Sequence, residues 1–230
     1  MSDSPLIRLE NVSKSYARGK IPITIFEHLD MAIKAGDFVA IMGPSGSGKT
    51  TLLNLLGGVD RPSSGQYYFA GEAIEALSEG QLSRWRADNV GFVFQHYNLM
   101  PMLSAARNVE LPLLLTPLGR KGRRENVKTV LEIVGLADRA SHKPAELSGG
   151  QQQRTAIARA IVADPRLLLC DEPTGDLDRE TADEILATLK MLNRDFGKTV
   201  VMVTHDPEAA AYANHTLILD KGRFGGEAAA

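Results

Sequence analysis

The fold is decided by residues 38–56, which run FVAIMGPSGSGKTTLLNLL. Phe38–Met42 is a short apolar run typical of a strand buried on both faces, and Thr50–Leu56 predicts a helix that stops at two glycines. Between them, Gly43–Thr50 fits the pattern G-x-x-x-x-G-K-[ST]. Such a turn presents backbone N–H groups and the positive end of a helix to phosphate oxygens. We therefore predict a phosphate-binding loop in which Lys49 reaches the β- and γ-phosphates.

The predicted ATP contacts of this loop are Gly43, Pro44, Ser45, Gly46, Ser47, Gly48, Lys49, Thr50 and Thr51. The Thr50 hydroxyl suits a Mg²⁺ coordination position, which calls for a carboxylate on a neighbouring strand. The apolar run Leu167–Cys170 supplies one, since Asp171 and Glu172 follow it and Pro173 ends the strand. We predict that Asp171 binds Mg²⁺, directly or through water, and that Glu172 polarises the attacking water. The alternative is that these acidic residues merely begin a surface turn.

Composition bounds the class of protein. The 230 residues carry 26 basic and 28 acidic side chains, and the net charge of −2 argues against a general nucleic-acid binder. A hydrophobic content of 43% with 23% charged residues is typical of a globular chain. A single cysteine excludes an internal disulfide and favours a reducing compartment. We see no secretory signal and no run of about 18 apolar residues, so we expect a cytoplasmic chain unless a partner holds it at a membrane.

Strand and helix patterns alternate along most of the chain, which predicts an α/β fold with a mainly parallel sheet. The predicted strands are Leu6–Val12, Ile21–Ile33, Phe38–Met42, Gln66–Ala70, Val90–Gln95, Leu167–Cys170, Val200–Thr204 and one near Leu217–Leu219, and the predicted helices are Thr50–Leu56, Gly122–Val134, Gln151–Ala163 and Thr181–Asn193. Asn98–Thr116 resists assignment. We expect one domain, 1–230, in which residues 1–95 and 161–230 form the core with an N-terminal antiparallel β region and residues 96–160 form an inserted helical subdomain. Gly225–Ala230 is predicted to be a frayed tail.

Leu147–Gln151, sequence LSGGQ, separates this chain from other proteins with a phosphate-binding loop. Ser148 and Gln151 have the spacing of a capping box for the following helix, which is the structural interpretation. That interpretation does not explain two adjacent glycines. Bare N–H groups at a helix start form an anion site, so a second such site indicates a nucleotide held between two copies of the chain.

Together these motifs resemble the nucleotide-binding subunits of ABC transporters, over about residues 6–223. Gly43–Thr50 matches the Walker A motif of that family, Leu147–Gln151 its signature and Leu167–Glu172 its Walker B motif. The remaining family positions fall at Tyr16 for the aromatic that stacks on adenine, Gln95 for the Q-loop, Gly175–Asp178 for the D-loop with Asp178 as its site residue, and His205 for the switch histidine. Asp176 departs from the small residue that this D-loop often carries.

The resemblance implies an ATPase in which two subunits lie head to tail around two ATP molecules. The signature residues expected to contact the γ-phosphate held by the other copy are Ser148, Gly149, Gly150 and Gln151. Glu172 is implied as general base, and His205 as the group that holds the γ-phosphate and attacking water. Gln95 is implied to join Thr50 and Asp171 at Mg²⁺ and to link the metal to the transport partner.

Finer features narrow the type of transporter. Lys49 and Asp171 are 122 residues apart, which leaves no space for a long coiled-coil arm. Residues 90–101 and 108–113 resemble the macrolide-export and lipoprotein-release group, the MacB- and LolD-like proteins. That resemblance implies a homodimer at the cytoplasmic face of the inner membrane, coupled to separate permease subunits of an exporter, lipoprotein- or lipid-extracting or mechanotransmitting complex. A periplasmic adaptor is an optional further partner, and no nucleic acid is expected.

Other functions stay open at this level. The chain could serve an amino-acid-type importer, or act as a cell-division-type regulatory ATPase without transport; a soluble P-loop kinase would not explain Leu147–Gln151. We hypothesise that Tyr97–Val109 receives a permease helix, because Met100 and Met102 suit an adaptable contact. The alternative is that the apolar side chains of this stretch, Leu99, Met100, Met102 and Leu103, fill the core of the helical insert. Trp85 is expected to be partly exposed.

Overall fold

A computed structural model describes residues 4–19 and 21–225 of the chain. The strands among these residues are β1 (Ile7–Arg18), β2 (Ile21–Ile33), β3 (Phe38–Met42), β4 (Ser64–Phe69), β5 (Glu72–Ala73), β6 (Val90–Phe94), β7 (Leu167–Asp171), β8 (Thr199–Val203), β9 (His215–Asp220) and β10 (Arg223–Gly225). The helices are α1 (Lys49–Leu56), α2 (Glu79–Asn89), α3 (Ala105–Glu110), α4 (Arg120–Ile133), α5 (Gly149–Ile161), α6 (Arg179–Phe196) and α7 (Pro207–Ala210). Short 3₁₀ segments lie at Leu111–Leu115, Ala137–Arg139 and Pro144–Glu146. The predicted tail after Gly225 lies outside the described residues.

The strands form two sheets. The antiparallel sheet has the order β2-β1-β4-β5, and the six-stranded sheet has the order β10-β9-β3-β8-β7-β6. Every pair in the six-stranded sheet is parallel except β9 with β10. The predicted fold class, α/β with a mainly parallel sheet and an N-terminal antiparallel β region, is confirmed. None of the described helices is long and apolar enough to span a membrane.

The register of the parallel strands determines which loops become neighbours. Ile41 of β3 pairs with Val203 of β8, Val203 pairs with Asp171 of β7, and Asp171 pairs with Phe94 of β6. These four strands therefore end at the same edge of the sheet. The loops that follow them begin with the residues the sequence singles out, at Gly43, Gln95, Glu172 and Thr204-His205. Binding sites of open parallel sheets form at this carboxyl edge.

Two hydrophobic clusters cover the two faces of the parallel sheet. One includes Phe38, Leu168 and Met202 and continues into helices α4, α5 and α6. The other includes Val39, Leu169 and Val201 and joins α1 to the antiparallel sheet. Helices α3, α4 and α5 pack on one another as the predicted helical insert requires. Its proposed limits at 96 and 160 remain a prediction.

Five of the described elements, α2, α3, α7, β5 and β10, were not predicted from the sequence, and one side chain was wrongly expected to be exposed. Helix α2 was not predicted, since only Leu82 and Trp85 of its eleven residues are buried and no apolar periodicity marks it. Its signal was a capping box, in which Ser78 and Gln81 bond each other's backbone N–H groups. The expectation that Trp85 is partly exposed is wrong, because the residue is 6% exposed and packs edge-on against Tyr67 and Phe69. The unassigned stretch 98–116 contains α3 and a 3₁₀ segment.

Candidate active site

The loop between β3 and α1 is shaped by glycines where side chains are excluded. Gly48 precedes α1 with φ 99°, a left-handed conformation that glycine adopts readily. Gly43 has no room for a side chain, because a Cβ there would lie 2.0 Å from the Leu219 carbonyl oxygen. Since Gly48 carries no capping side chain, the first N–H groups of α1 remain open to an anion. The loop therefore has the local geometry that the sequence predicts.

Lys49 lies at the centre of this loop. Its ammonium donates hydrogen bonds to the carbonyl oxygens of Gly43 at 2.8 Å and Pro44 at 2.9 Å, and the residue is only 8% exposed. An ammonium has three donors, so one remains for a ligand. The loop carbonyls thus hold the charge where an anion entering the loop would meet it.

Two predicted Mg²⁺ ligands meet across the sheet edge. The Thr50 hydroxyl donates to Asp171 Oδ2 over 3.3 Å. Burial raises the pKa of Asp171 and the neighbouring Glu172 charge raises it further, whereas the Thr50 hydrogen bond and Lys49 lower it. No group of three or more His, Cys, Asp or Glu side chains able to hold a metal occurs in residues 4–19 and 21–225. Two oxygen ligands beside a phosphate loop fit Mg²⁺, which keeps water and phosphate oxygens in its other positions.

The predicted base and switch histidine are in contact. His205 Nδ1 lies 3.1 Å from Glu172 Oε1. Glu172 has φ 46°, a conformation rare for residues other than glycine, and its N–H bonds the Val203 carbonyl oxygen at 2.9 Å. The backbone therefore leaves β7 with a sharp change of direction at Glu172, which turns the chain between Asp171 and Pro173. Backbone strain of this kind is common at functional sites.

The phosphate loop, Glu172 and His205 surround one cavity of about 700 Å³. It is lined by Ile25, Gly43, Pro44, Ser45, Gly46, Gly48, Lys49, Thr50, Thr51, Glu172 and His205. In the same loop the Ser47 hydroxyl is buried without a hydrogen-bond partner. The structure therefore brings the phosphate loop together with Glu172 and His205, as the sequence predicts.

Gln95 is the predicted metal ligand that lies apart from the other two. Its side-chain N–H donates to Asp176 Oδ1 at 2.9 Å instead of meeting Thr50 or Asp171. The second oxygen of Asp176 lies 2.8 Å from His96 Nδ1. Gln95 also packs on Gly175, where a Cβ would lie 3.0 Å from its amide nitrogen. Asp176, whose role the sequence left open, thus joins the Q-loop to the D-loop in this state.

The signature lies outside the cavity, because none of the cavity's lining residues comes from 148–151. Ser148 caps α5, accepting from the Gln151 N–H at 3.3 Å while its own N–H donates to Gln151 Oε1 at 3.0 Å. The capping box alone does not require glycine at 149 and 150, but contacts within the subunit add a packing reason for both. A Cβ at Gly149 would lie 3.0 Å from the Tyr97 hydroxyl, and one at Gly150 would lie 2.4 Å from Thr181 Cγ2. Packing within the subunit therefore favours a small residue at Gly150, whereas at Gly149 a side chain would need only a small shift of Tyr97.

Other predicted positions have structural partners too. Asp178 of the D-loop caps α6 by accepting from the Thr181 N–H at 3.0 Å. Tyr16 lies within β1, beyond the predicted end of that strand at Val12, and is 42% exposed. Its hydroxyl donates to Asp60 Oδ2 at 2.5 Å. Burial and Asp60 raise the pKa of Tyr16, and a hydrogen bond with Thr51, which lines the cavity, lowers it.

Two residues that order the segment after Gln95 were not predicted. Asn108 is fully buried, and its side chain bonds the backbone of Met100 at 2.7 and 3.1 Å. The Arg159 guanidinium donates to the carbonyl oxygens of Tyr97 at 2.8 Å and Asn98 at 2.5 Å. A polar residue inside an apolar stretch was the available signal for Asn108. Arg159 gave none, because its partners lie about sixty positions away in the chain.

The fold and the cavity define the class of P-loop nucleoside triphosphatases. Residues 26–175 match the ABC transporter family, and the chain belongs to that family. It is 48% identical over 219 residues to the uncharacterized ABC transporter ATP-binding protein YvrO of Bacillus subtilis, covering 95% of each. It is 47% identical over 221 residues to the macrolide export ATP-binding/permease protein MacB 1/2 of Paracoccus denitrificans, where it spans 96% of this chain and 33% of that protein.

Solved structures of ABC cassettes have the same fold as this chain. The dimeric post-hydrolysis structure of the ATP-binding cassette MJ0796 with ADP and Pi has a TM-score of 0.88 and 42% identity, over 96% of this chain and 97% of that one. The chain is therefore an ABC transporter ATPase that binds ATP and couples its hydrolysis to transport.

Proposed function

We propose that two copies of this chain close head to tail around two ATP molecules, each held by Lys49 of one copy and Ser148–Gln151 of the other. The observation that carries this proposal is the cavity in which the phosphate loop meets Glu172 and His205, while the open helix start at Ser148 lies outside it. A second subunit would supply the missing side of the triphosphate. The dimeric cassette MJ0796, at 42% identity, supports the same arrangement.

The chemistry of each site residue suits a particular role in binding or hydrolysis. The backbone of Gly43–Thr51 and the free donor of Lys49 bind the phosphates, with Tyr16 stacking on adenine. Thr50 and Asp171 would hold Mg²⁺, with Gln95 joining them after it releases Asp176; the ion would neutralise phosphate charge. Glu172 accepts the proton of the attacking water. When protonated, His205 donates to Glu172 through Nδ1 and keeps Nε2–H for a γ-phosphate oxygen.

The γ-phosphate links ATP turnover to movement. While it is present, it contacts both copies and stabilises the closed dimer. Hydrolysis removes this bridge, so the equilibrium shifts towards the open state. Asp178 caps the first turn of α6, and Thr181 of that turn touches Gly150, so the D-loop and the signature would move together.

The test at the site is Glu172→Gln, which removes the proton acceptor and little else. We expect turnover to fall by about 10²–10⁴-fold while ATP binding persists. Sedimentation velocity should then show a dimer that forms with ATP and not with ADP. Glu72→Gln, at an exposed strand end, is the matched control and should hydrolyse normally. Near-normal turnover by Glu172→Gln would remove this residue from the mechanism.

A groove beside Gln95 supports a permease partner. The groove measures about 390 Å³, has Phe92 and Phe94 in its lining and is bounded by α2, α5 and the segment after Gln95. Beyond it, Met100 is 53% and Met102 77% exposed. Neither methionine fills the core, so the alternative that the sequence left open does not apply to them. Exposed methionines next to an apolar groove suit an inserted helix from the permease.

Charge at these methionines tests the docking. We expect Met100→Glu with Met102→Glu to abolish copurification with the permease and its effect on the ATPase rate, with the basal rate unchanged. Phe196→Glu is the control, because Phe196 is 48% exposed at the far end of α6. Unchanged permease binding by the double variant would reject this surface.

The transporter type we infer is an exporter, a lipoprotein- or lipid-extracting complex or a mechanotransmitting complex at the cytoplasmic face of the inner membrane. The MacB relatives support this choice; in them the ATPase and permease are one protein, of which this chain spans about a third. An amino-acid-type importer and a cell-division-type regulator are the alternatives. A neighbouring gene for a four-span permease with a large extracytoplasmic domain would favour the first, and a periplasmic adaptor would then be sought by copurification.

A further inference from the structure

The Tyr16 ring is enclosed on one side by a buried charge. The ammonium of Lys14 lies 4.6 Å from the ring centroid, and Lys14 is 7% exposed although it is charged. A cation held over an aromatic face is attracted by the ring's electron density. One face of the ring is thereby occupied, while the residue as a whole remains 42% exposed.

Asp60 ties both residues together. One carboxylate oxygen accepts from Lys14 Nζ at 2.6 Å, and the other accepts from the Tyr16 hydroxyl at 2.5 Å. Burial works to raise the pKa of Asp60, but hydrogen bonds from Lys14 and Tyr16 outweigh it and hold that pKa below its ordinary value. The Asp60 N–H bonds the carbonyl oxygen of Asn54, which belongs to α1. The carboxylate is therefore anchored to the same helix that follows the phosphate loop.

The surrounding backbone is held as well. The N–H of Ser63 bonds the carbonyl oxygen of Ser13 at 2.8 Å, and the N–H of Ser15 bonds the Ser63 hydroxyl at 3.0 Å. Lys14 Nζ further donates to the Arg61 carbonyl oxygen at 2.8 Å. The strand that carries Tyr16 and the turn that carries Asp60 are thus joined by several hydrogen bonds.

We propose that Lys14 and Asp60 are positioning residues that clamp the Tyr16 ring, leaving its free face as a preformed platform for the base of the nucleotide. The proposal rests on the assignment of base stacking to Tyr16. A side chain whose ring is already fixed loses less conformational freedom when a ligand stacks on it, so preorganisation increases affinity. Breaking the clamp should weaken nucleotide binding roughly three- to tenfold.

Two ligands distinguish the contribution of the base to binding from that of the phosphates. Mg²⁺–ADP carries the base, and Mg²⁺–pyrophosphate carries the diphosphate alone; neither is hydrolysed, and neither has the γ-phosphate that would close a dimer. We expect Asp60→Ala and Lys14→Met to raise the Kd for Mg²⁺–ADP, measured by titration calorimetry, about three- to tenfold. The Kd for Mg²⁺–pyrophosphate should stay unchanged, because Lys49 and the loop are untouched.

The chain offers a matched control. The Arg8 guanidinium lies 4.5 Å from the Tyr68 ring centroid, a second cation–aromatic pair in the same sheet. Arg8 lies six residues from Lys14, about 20 Å along the strand. Arg8→Met should leave both dissociation constants unchanged. Tyr16→Phe keeps the ring and the Lys14–Asp60 pair but loses the hydroxyl, and it carries the test if Asp60→Ala does not fold; it too should weaken ADP binding.

The outcomes are distinct. Equal weakening of ADP and pyrophosphate by Asp60→Ala or Lys14→Met would overturn the clamp in favour of a general effect on the loop. Unchanged ADP binding in these variants, with weaker binding in Tyr16→Ala, would overturn the clamp but keep the platform. Unchanged ADP binding in Tyr16→Ala would overturn both the clamp and the platform. The proposed dimer is tested independently, by the ATP-dependent association of Glu172→Gln.

Discussion

Ser148 provides a sharp test of the shared nucleotide, because the chain contains a second serine in the same local structure. Ser148 and Ser78 each begin a helix with a full capping box, closed by Gln151 and Gln81 respectively. Removing either hydroxyl should lower the free energy of unfolding by about 1 kcal/mol. If Ser148 were only a cap, Ser148→Ala and Ser78→Ala would behave alike in every assay.

The proposed dimer makes the two variants differ. Each ATP would lose one charge-assisted hydrogen bond from the Ser148 hydroxyl to the γ-phosphate, worth about 1.5–3 kcal/mol. Because a dimer holds two ATP molecules, Ser148→Ala should weaken association by about 3–6 kcal/mol, which is about two to four powers of ten in the dimer dissociation constant. Ser78→Ala should leave that constant unchanged.

The assay is sedimentation equilibrium with Mg²⁺–ATP, with both variants placed in the Glu172→Gln background so that ATP persists. Chemical denaturation of each variant without nucleotide measures the loss of the cap and shows that the two monomers are equally perturbed. ATP binding by the single copy should survive in both, because Lys49 and the loop are intact. Equal dimer dissociation constants for the two variants would refute the trans contact at Ser148.

Three further predictions follow from the geometry. Trp85→Ala should lower the free energy of unfolding by about 3–5 kcal/mol, measured by circular dichroism in urea, because it empties a buried aromatic site; a loss below 1 kcal/mol would contradict that packing. Hydrogen bonds from Arg123 and Arg107 hold the pKa of Glu110 in the folded protein below its ordinary value. The free energy of unfolding that these bonds contribute is therefore fully present above the ordinary pKa of a glutamate, and it is lost as the pH falls through the lower pKa of the folded protein. Glu110→Gln should therefore show a shallower loss of stability in acid, and an acid profile identical to wild type would refute it. Asp171→Asn should raise the Mg²⁺ concentration needed for nucleotide binding more than tenfold, and an unchanged Mg²⁺ titration would remove Asp171 from the metal site.

Local pattern predicted the elements whose apolar residues form a continuous or periodic run. β2 and β3 have the predicted limits, and α1, α4 and β7 differ from theirs by one or two residues. Helix α2 was not predicted because most of its residues lie on its exposed face. Only tertiary contacts bury Trp85. The end of β1 was not predicted for a related reason. Pairing with β2 extends the strand beyond Val12, where the alternation of apolar and polar residues stops.

The candidate site divides in the same way. A phosphate loop needs a fixed spacing of glycines, lysine and threonine, so Gly43–Thr50 could be identified from sequence alone. Carboxylates directly after an apolar strand marked Asp171 and Glu172. The contact of Gln95 with Asp176 and the packing reason for Gly149 and Gly150 could not be seen, because each joins segments distant in the chain.

By itself, the sequence determined most strands, the helices α1, α4, α5 and α6 and the residue types at the phosphate loop, since these depend on neighbours within a few positions. The tertiary structure alone decided that β3, β8, β7 and β6 end in one row, which brings Glu172 within reach of His205. It also decided that Asp60 joins Lys14 to Tyr16, a contact spanning more than forty positions. Such contacts depend on the register between strands and on loops that bring distant segments together, and no local pattern encodes either.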